Sequence, residues 1–259
     1  MPDSKLQPAL SAKHSVSLVI IDTESYELAL RAVNQSVERF AFDRVLVFSD
    51  DETQWGNYSV TKIPKLTRID QFNEFIIKAL PKYIETDFFL VIQFDGFILN
   101  ANEFNLEFYN CDYIGAPWYF YKTMNVGNGG FSWRSRKLAQ AVAQFRYDPV
   151  RWPEDAFIGR KSRSRLEYFY NCHFASSDLA AHFSVENQMS PHPTFGFHGL
   201  HLLPQAYQKD MDFLIQYLPR RIFLHQPRFN LLAGGVKMFA PDSLNALEAK
   251  RNQYLQANI

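Results

Sequence analysis

Cysteine is nearly absent from this chain: Cys111 and Cys172 are the only two among 259 residues. Their placement suggests neither a zinc site nor a redox pair, and no disulfide framework is implied. An excess of one charge is also missing. Lys plus Arg and Asp plus Glu each number 27, so the formal net charge is zero. Bulk attraction to nucleic acid is therefore not expected, and no nucleic-acid partner is assigned. Long apolar runs are lacking too, since no stretch approaches the ~18 residues of a membrane span. The first residues, MPDSKLQPALSAKHS, are polar and hold no apolar segment of signal length. A reduced, cytoplasmic protein is the expectation, with peripheral membrane contact left open. No internal repeat or low-complexity tract is visible.

Aromatic residues, in contrast, make up 16% of the chain, with 24 Phe. An aromatic core accounts for most of them, and a ring-stacking cleft for a few. The length suits one large α/β domain or a domain with an appendage.

The pattern along the chain alternates strand and helix. Residues 16–21 are rich in β-branched side chains and end at Asp22-Thr23-Glu24. A helix is predicted over 26–40, with Leu30, Val33, Val37 and Phe40 on one face. A second strand, 45–48, ends at Ser49-Asp50-Asp51, and an edge-like segment, 61–66, contains Pro64. A second helix, 71–80, stops at Pro81, and five apolar residues then lead through Gln93-Phe94 into Asp95-Gly96. Such alternation predicts a parallel, doubly wound start. Farther on, 112–118 reads as loop and 126–131 as a glycine-rich turn. Ser132 is the expected N-cap of a helix running to about Phe145, and Pro153-Glu154-Asp155 opens another. Residues 203–259 read as helices, interrupted near Gly234-Gly235.

Several of these residues have two readings. Asp95 at a strand end suits a divalent cation, and it also suits a helix cap or turn. Gly96 lets the backbone turn or a ligand approach. Backbone N–H groups at Gly129 and Gly130 can meet an anion or a sugar hydroxyl, or form a plain turn. Asp155 suits a general base with Glu154 positioning a hydroxyl, while acids at a helix start also complement the helix dipole. His198, framed by glycines, suits a metal or a structural hydrogen bond. Trp118 suits stacking on a sugar or burial in the core. Asp22 with Thr23, and Asp50, stand where a ribose or base would lie if the strand order is doubly wound.

Taken together, the segments Gln93-Phe94-Asp95-Gly96-Phe97, Asp112-Tyr113-Ile114-Gly115-Ala116-Pro117-Trp118, Val126-Gly127-Asn128-Gly129-Gly130-Phe131-Ser132 with Arg134-Ser135-Arg136, Pro153-Glu154-Asp155, Phe183-Ser184 with Glu186, and Phe195-Gly196-Phe197-His198-Gly199 carry a resemblance. The chain resembles a bacterial and fungal family of glycosyltransferase-like proteins, long known only as a domain of unknown function. The match is strong over roughly 85–200 and looser over 16–84. The resemblance implies a GT-A-like α/β domain, with a Rossmann-like nucleotide-binding half, a mixed sheet and a helical C-terminal extension. The implied boundaries are a tail over 1–15, a glycosyltransferase domain over 16–202 and the extension over 203–259. Within the domain, 16–100 is the nucleotide-binding half and 101–202 the acceptor and catalytic half.

The resemblance also places Asp95 and His198 at an Mn2+ or Mg2+ ion that bridges the donor pyrophosphate, and Asp155 as the base. One departure stands out. The usual acid motif is Asp-any-Asp, and Gln93 occupies its first position, which puts the metal in question; some GT-A enzymes use cationic side chains instead. The implied reaction moves a sugar from a UDP- or GDP-sugar to a glycan or lipid-linked acceptor, with inversion, in a setting such as surface polysaccharide synthesis. Dimerisation through the C-terminal helices is a further expectation. Two other functions remain. A sugar-nucleotide nucleotidyltransferase would need a glycine-rich basic loop where Asp22-Thr23-Glu24-Ser25 stands, and an inactive glycan-binding module would have no use for Asp95, Asp155 and His198.

Overall fold

The computed structural model describes residues 14–186, 188 and 190–257. The expected tail, 1–15, lies outside the described residues except for His14 and Ser15. β1 (Val16–Ile21) is buried along its whole length, as a strand covered on both faces must be. α1 (Tyr26–Arg39) follows and buries Leu28, Ala29, Ala32 and Val33. β2 (Arg44–Ser49) and the short β3 (Val60–Lys62) continue the sheet. α2 (Ile69–Glu74) runs on through a π-helical turn, Phe75–Ala79. It leads to β4 (Phe88–Ile92), again fully buried. Each such apolar side chain contributes about 1.5–3 kcal/mol on leaving water, so these central strands anchor the core.

β5 (Tyr113–Ile114) and β6 (Ser132–Ser135) complete a six-stranded sheet of order β3-β2-β1-β4-β6-β5. The first four strands are parallel, and β6 runs antiparallel to both β4 and β5. α3 (Arg136–Ala143) and the short α4 (Glu154–Ala156) follow, then α5 (Arg163–Tyr170) and α6 (Ser177–Phe183). β7 (Ser184–Val185) and β8 (Gly196–Phe197) form a small parallel pair of their own. The rest is helical: α7 (Leu203–Ala206), α8 (Met211–Tyr217), α9 (Arg220–Leu224), α10 (Gln226–Phe239) and α11 (Leu244–Gln256). Arg31 of α1 ties these helices to the sheet. Its guanidinium lies 4.8 Å from the Tyr207 ring and 4.7 Å from the Phe213 ring, and it pairs with Asp210.

The fold is therefore the expected α/β arrangement: a parallel half, a mixed sheet and a helical C-terminal part. Three local expectations are corrected. Ser132 does not cap a helix; it begins β6, and the cap is Ser135, whose hydroxyl accepts from the Leu138 amide at 3.0 Å. Two serines three residues apart offered the same signal, and pairing with β4 claims the first. The segment 112–118 contains β5 rather than loop alone. Gly234-Gly235 does not interrupt α10, because Phe229, Leu232 and Val236 bury one face of it straight through the pair. Among the described residues, no helix is long and apolar enough to cross a membrane.

Candidate functional site

β1 has β2 on one side and β4 on the other, so the chain winds away from it in both directions. A crevice opens outside the carboxyl ends of strands at such a point. The two ends are level, because Ile20 pairs with Ile92. A cleft of about 820 Å³ lies there. Asp22, Thr23 and Glu24 line it from the end of β1, and Gln93, Phe94 and Asp95 from the end of β4. The β3–α2 loop adds Lys65, Leu66 and Arg68, and α2 adds Ile69 and Phe72. His198 closes one end, and Arg221 and Arg228 come from α9 and α10.

At the end of β1, one oxygen of Asp22 accepts the Glu24 and Ser25 amides at 2.8 and 2.6 Å. Burial pushes the Asp22 carboxyl up to about 6; those amides and Arg221 oppose the rise, and the Glu24 charge adds to it. The Thr23 hydroxyl accepts from the Leu66 amide at 3.0 Å and faces the Leu66 carbonyl at 3.3 Å. Thr23 thus pins the β3–α2 loop as the wall of the cleft. Asp50 is turned elsewhere. It accepts from the Tyr26 hydroxyl at 2.8 Å and does not line the cleft.

At the end of β4, Gln93 and Gly96 exchange backbone hydrogen bonds of 2.9 and 3.0 Å, a tight turn with Phe94 and Asp95 at its tip. The β7–β8 pair delivers the histidine. Val185 pairs with Phe197, so the next residues on each strand, Glu186 and His198, emerge side by side. His198 Nδ1 lies 3.2 Å from Glu186 Oε1, and Nε2 lies 3.2 Å from Gln93 Oε1 and 3.7 Å from Asp95 Oδ1. The Gly199 amide donates to the Asp95 carbonyl at 2.8 Å, locking the two turns together. Burial opposes a charge on His198. The Asp95 carboxylate, the hydrogen bond and charge of Glu186, and the charge of Asp155 outweigh it and raise the imidazole to about 9.

The glycine loop fills the space beside this cluster. Asn128 adopts a left-handed φ of 70°, and its side-chain oxygen accepts the Gly130 amide at 3.0 Å. A β-carbon on Gly130 would lie 2.2 Å from His198 Nε2, and one on Gly129 would lie 1.5 Å from Glu154 Oε1. No side chain fits at either position, so the loop sits wedged between Glu154 and His198. Glu154 is 3% exposed and turned inward onto Arg134, with contacts of 2.9 and 3.0 Å. Asp155, the next residue, is only partly buried. Burial, then the neighbouring Glu154 charge and the more distant Glu186, raise its carboxyl to about 6; the Ala156 amide and Arg134 pull the other way. Trp118 is 7% exposed, packed against Gly127 and Gly159, which is the core reading. The exposed rings of that loop are Tyr119, Phe120 and Tyr121, at 54%, 66% and 38%.

The structure thus brings together Asp22, Thr23, Gln93, Asp95, Gly96, Gly130 and His198, with Glu154 against Gly129; Asp155, the residue after Glu154, does not line the cleft. It leaves Asp50 and Trp118 outside. Glu186 carried a signal in the sequence, standing after Phe183-Ser184, but no role followed from it. Lys65, Arg68, Arg221 and Arg228 carried none, since the β3–α2 loop and the helices α9 and α10 meet only in the fold.

Among the described residues, no three His, Cys, Asp or Glu side chains are spaced to hold a metal by themselves. Asp95 and His198 with the Gln93 amide oxygen still offer carboxylate, imidazole and carbonyl donors, a set that suits Mn2+ or Mg2+. Such ions commonly take one or two carboxylates from the protein and the rest from substrate phosphates and water. Glu186 would then orient the imidazole from its far nitrogen. The residues present fit a divalent ion shared with a phosphate ligand.

A family described as a protein of unknown function, DUF5672, matches residues 57–198. No curated protein matches the sequence. Among solved structures, a mannosyltransferase from Pyrobaculum calidifontis in complex with GDP-Man and Mn2+ is similar at 10% identity and a TM-score of 0.46, over 95% of this chain and 75% of that one. Glucosyl-3-phosphoglycerate synthase from Mycobacterium tuberculosis, in complex with Mn2+, UDP-glucose and glycerol 3-phosphate, is similar at 10% identity and a TM-score of 0.36. That match spans 49% of this chain and little over half, 58%, of the other. A glycosyltransferase involved in glycosylation of the major capsid of PBCV-1 is similar at 10% identity and a TM-score of 0.40, over 71% of this chain and 94% of that one.

Proposed function

The chain belongs to the DUF5672 family, whose match spans Asp95, the glycine loop, Asp155 and His198, and from that premise we propose that it is a glycosyltransferase acting on a nucleotide-sugar donor. One observation carries the reading. The cleft at the level ends of β1 and β4 finishes on Asp95 and His198, and the Asp155 charge helps to raise the same imidazole. The reading takes the Asp95–His198 end for the diphosphate and Asp155, whose carboxyl is raised, for the base.

The nucleotide lies along the cleft, with its base toward the apolar Ile69 and Phe72 of α2 and its diphosphate toward Asp95 and His198. A divalent ion held by Asp95, His198 and Gln93 would neutralise charge on the diphosphate leaving group. Asp155 takes the proton from the acceptor hydroxyl. A carboxyl near 6 is ionised at neutral pH yet more basic than an ordinary Asp, which suits general-base work. Its help is worth about 10²–10⁴-fold. Attack from the side opposite the diphosphate inverts the anomeric centre. Glu154 serves through Arg134, holding the floor beneath Gly129.

The test is a thermal-shift panel of UDP- and GDP-sugars with and without Mn2+. A ligand that binds only the folded state raises the melting temperature. A selective rise with one donor, followed by its hydrolysis or transfer, supports the reading. No shift with any nucleotide sugar removes it.

A further inference from the structure

The cleft carries four basic side chains, and they are not equivalent. Arg221 Nε lies 2.5 Å from Glu24 Oε2, and Arg68 pairs with Asp70. Lys65 and Arg228 also line the cleft, yet among the described residues neither has an ion pair, a side-chain hydrogen bond or a ring contact. Both are exposed. They come from different parts of the chain, Lys65 from the β3–α2 loop and Arg228 from the first turn of α10. Cations that converge on a cleft without partners are placed for an anion from outside the protein. The acid turn has room for that help. With Gln93 in it, Asp95 is its one carboxylate, so a metal there is bound with less charge than two acids would supply.

We infer that Lys65 and Arg228 both bind the diphosphate group of a nucleoside diphosphate, so that the helices after residue 203 form part of the donor site. This rests on the donor reading above. The guanidinium of Arg228 makes charge-assisted hydrogen bonds to phosphate oxygens in a fork geometry, and the Lys65 ammonium adds a point charge. The Arg228 amide caps α10 by donating to His225 Nδ1 at 3.4 Å, a backbone bond that an alanine keeps, and neither side chain has an ion pair, so both variants are expected to fold.

The experiment is calorimetric titration of UDP and GDP, and of uridine and guanosine, into the wild type, Lys65→Ala, Arg228→Ala and Arg228→Lys, each in Mn2+ and in EDTA. Melting temperatures check that the variants fold. A lost charge-assisted bond corresponds to about 10- to 100-fold. Both alanine variants are expected to weaken the diphosphate by that factor, in Mn2+ and in EDTA, and to leave the nucleoside unchanged. Arg228→Lys should recover part of the loss. Unchanged diphosphate affinity in both alanine variants overturns the inference, as does an equal loss for nucleoside and diphosphate. If the wild type binds neither UDP nor GDP, the donor reading itself falls and takes the inference with it.

Discussion

Gly130 and His198 are in backbone-to-ring contact: the space a β-carbon would need at Gly130 is occupied by the imidazole Nε2, 2.2 Å away. The atom that faces Asp95 is therefore held in place by a residue with no side chain. Gly130→Ala must push the ring off Gln93 and Asp95. The obstacle is the end of a side chain rather than backbone, so the fold adapts while the site does not. Circular dichroism should be unchanged, and turnover should fall by about 10²-fold, the effect of misplacing a site group by an ångström. Steady-state rates with the donor found in the thermal panel check this.

Removing the proposed metal ligands should separate two contributions. Asp95→Ala and His198→Ala are expected to abolish the Mn2+-dependent part of nucleotide binding and leave the part that survives in EDTA. Titration of the same nucleotide with and without EDTA measures it. An EDTA-insensitive wild type would show that Asp95 and His198 hold no ion.

Glu154 and Arg134 form a buried pair, 3% and 2% exposed. Breaking such a pair from one side leaves a charge without compensation and costs about 3–5 kcal/mol. Glu154→Ala should lose that much in urea unfolding. Replacing both residues with Met should cost far less, because no orphaned charge remains. A Glu154 that instead worked on the acceptor would show its loss in rate with stability intact.

Asp155 ties stability to pH. Its carboxyl sits near 6 in the folded chain against 3.8 unperturbed. Below pH 4 the group is protonated in both states and contributes nothing. Between pH 4 and 6 the unfolded chain loses the proton first, so stability falls as pH rises; above 6 the loss is complete. It amounts to at most about 3 kcal/mol, and less for a partly exposed group. Asp155→Asn should therefore raise the melting temperature at pH 8 and leave it unchanged at pH 3. The same substitution should lower transfer by about 10²–10⁴-fold with donor affinity kept. The wild-type rate should lose activity on the acid side near pH 6.

The parts of this site that were readable before folding are those set by local pattern. An apolar run ending in an acid locates a strand end, and so Asp22, Asp95 and the crevice between them follow from residues next to one another. The small β7–β8 pair lies just beyond that reach, although His198 itself stood out between two glycines. What could not be read depends on partners far away in the chain. Glu154 turns inward because Arg134 waits there, and Trp118 is buried because Gly127 and Gly159 make room for its ring. Asp50 ends a strand just as Asp22 does, yet the Tyr26 hydroxyl draws it away from the cleft. Arg228 gains its meaning only from how the last helices pack, which Arg31 arranges from α1 through Tyr207, Phe213 and Asp210.

The antiparallel joint between β4 and β6 has a mechanical side. Val91 is paired directly with Ser132, so the turn leaving β4 and the glycine loop entering β6 are neighbours along one ladder of backbone hydrogen bonds. The stretch that ends on Asp95 and the stretch that follows the glycine loop are stitched to each other by strand pairing. Reaching distance is then set by strand register, in steps of about 3.3 Å, and a slip of one residue would also turn every β6 side chain to the opposite face. The spacing between Asp95 and the glycine loop is thus a property of the sheet, fixed by the same register that pairs Val91 with Ser132.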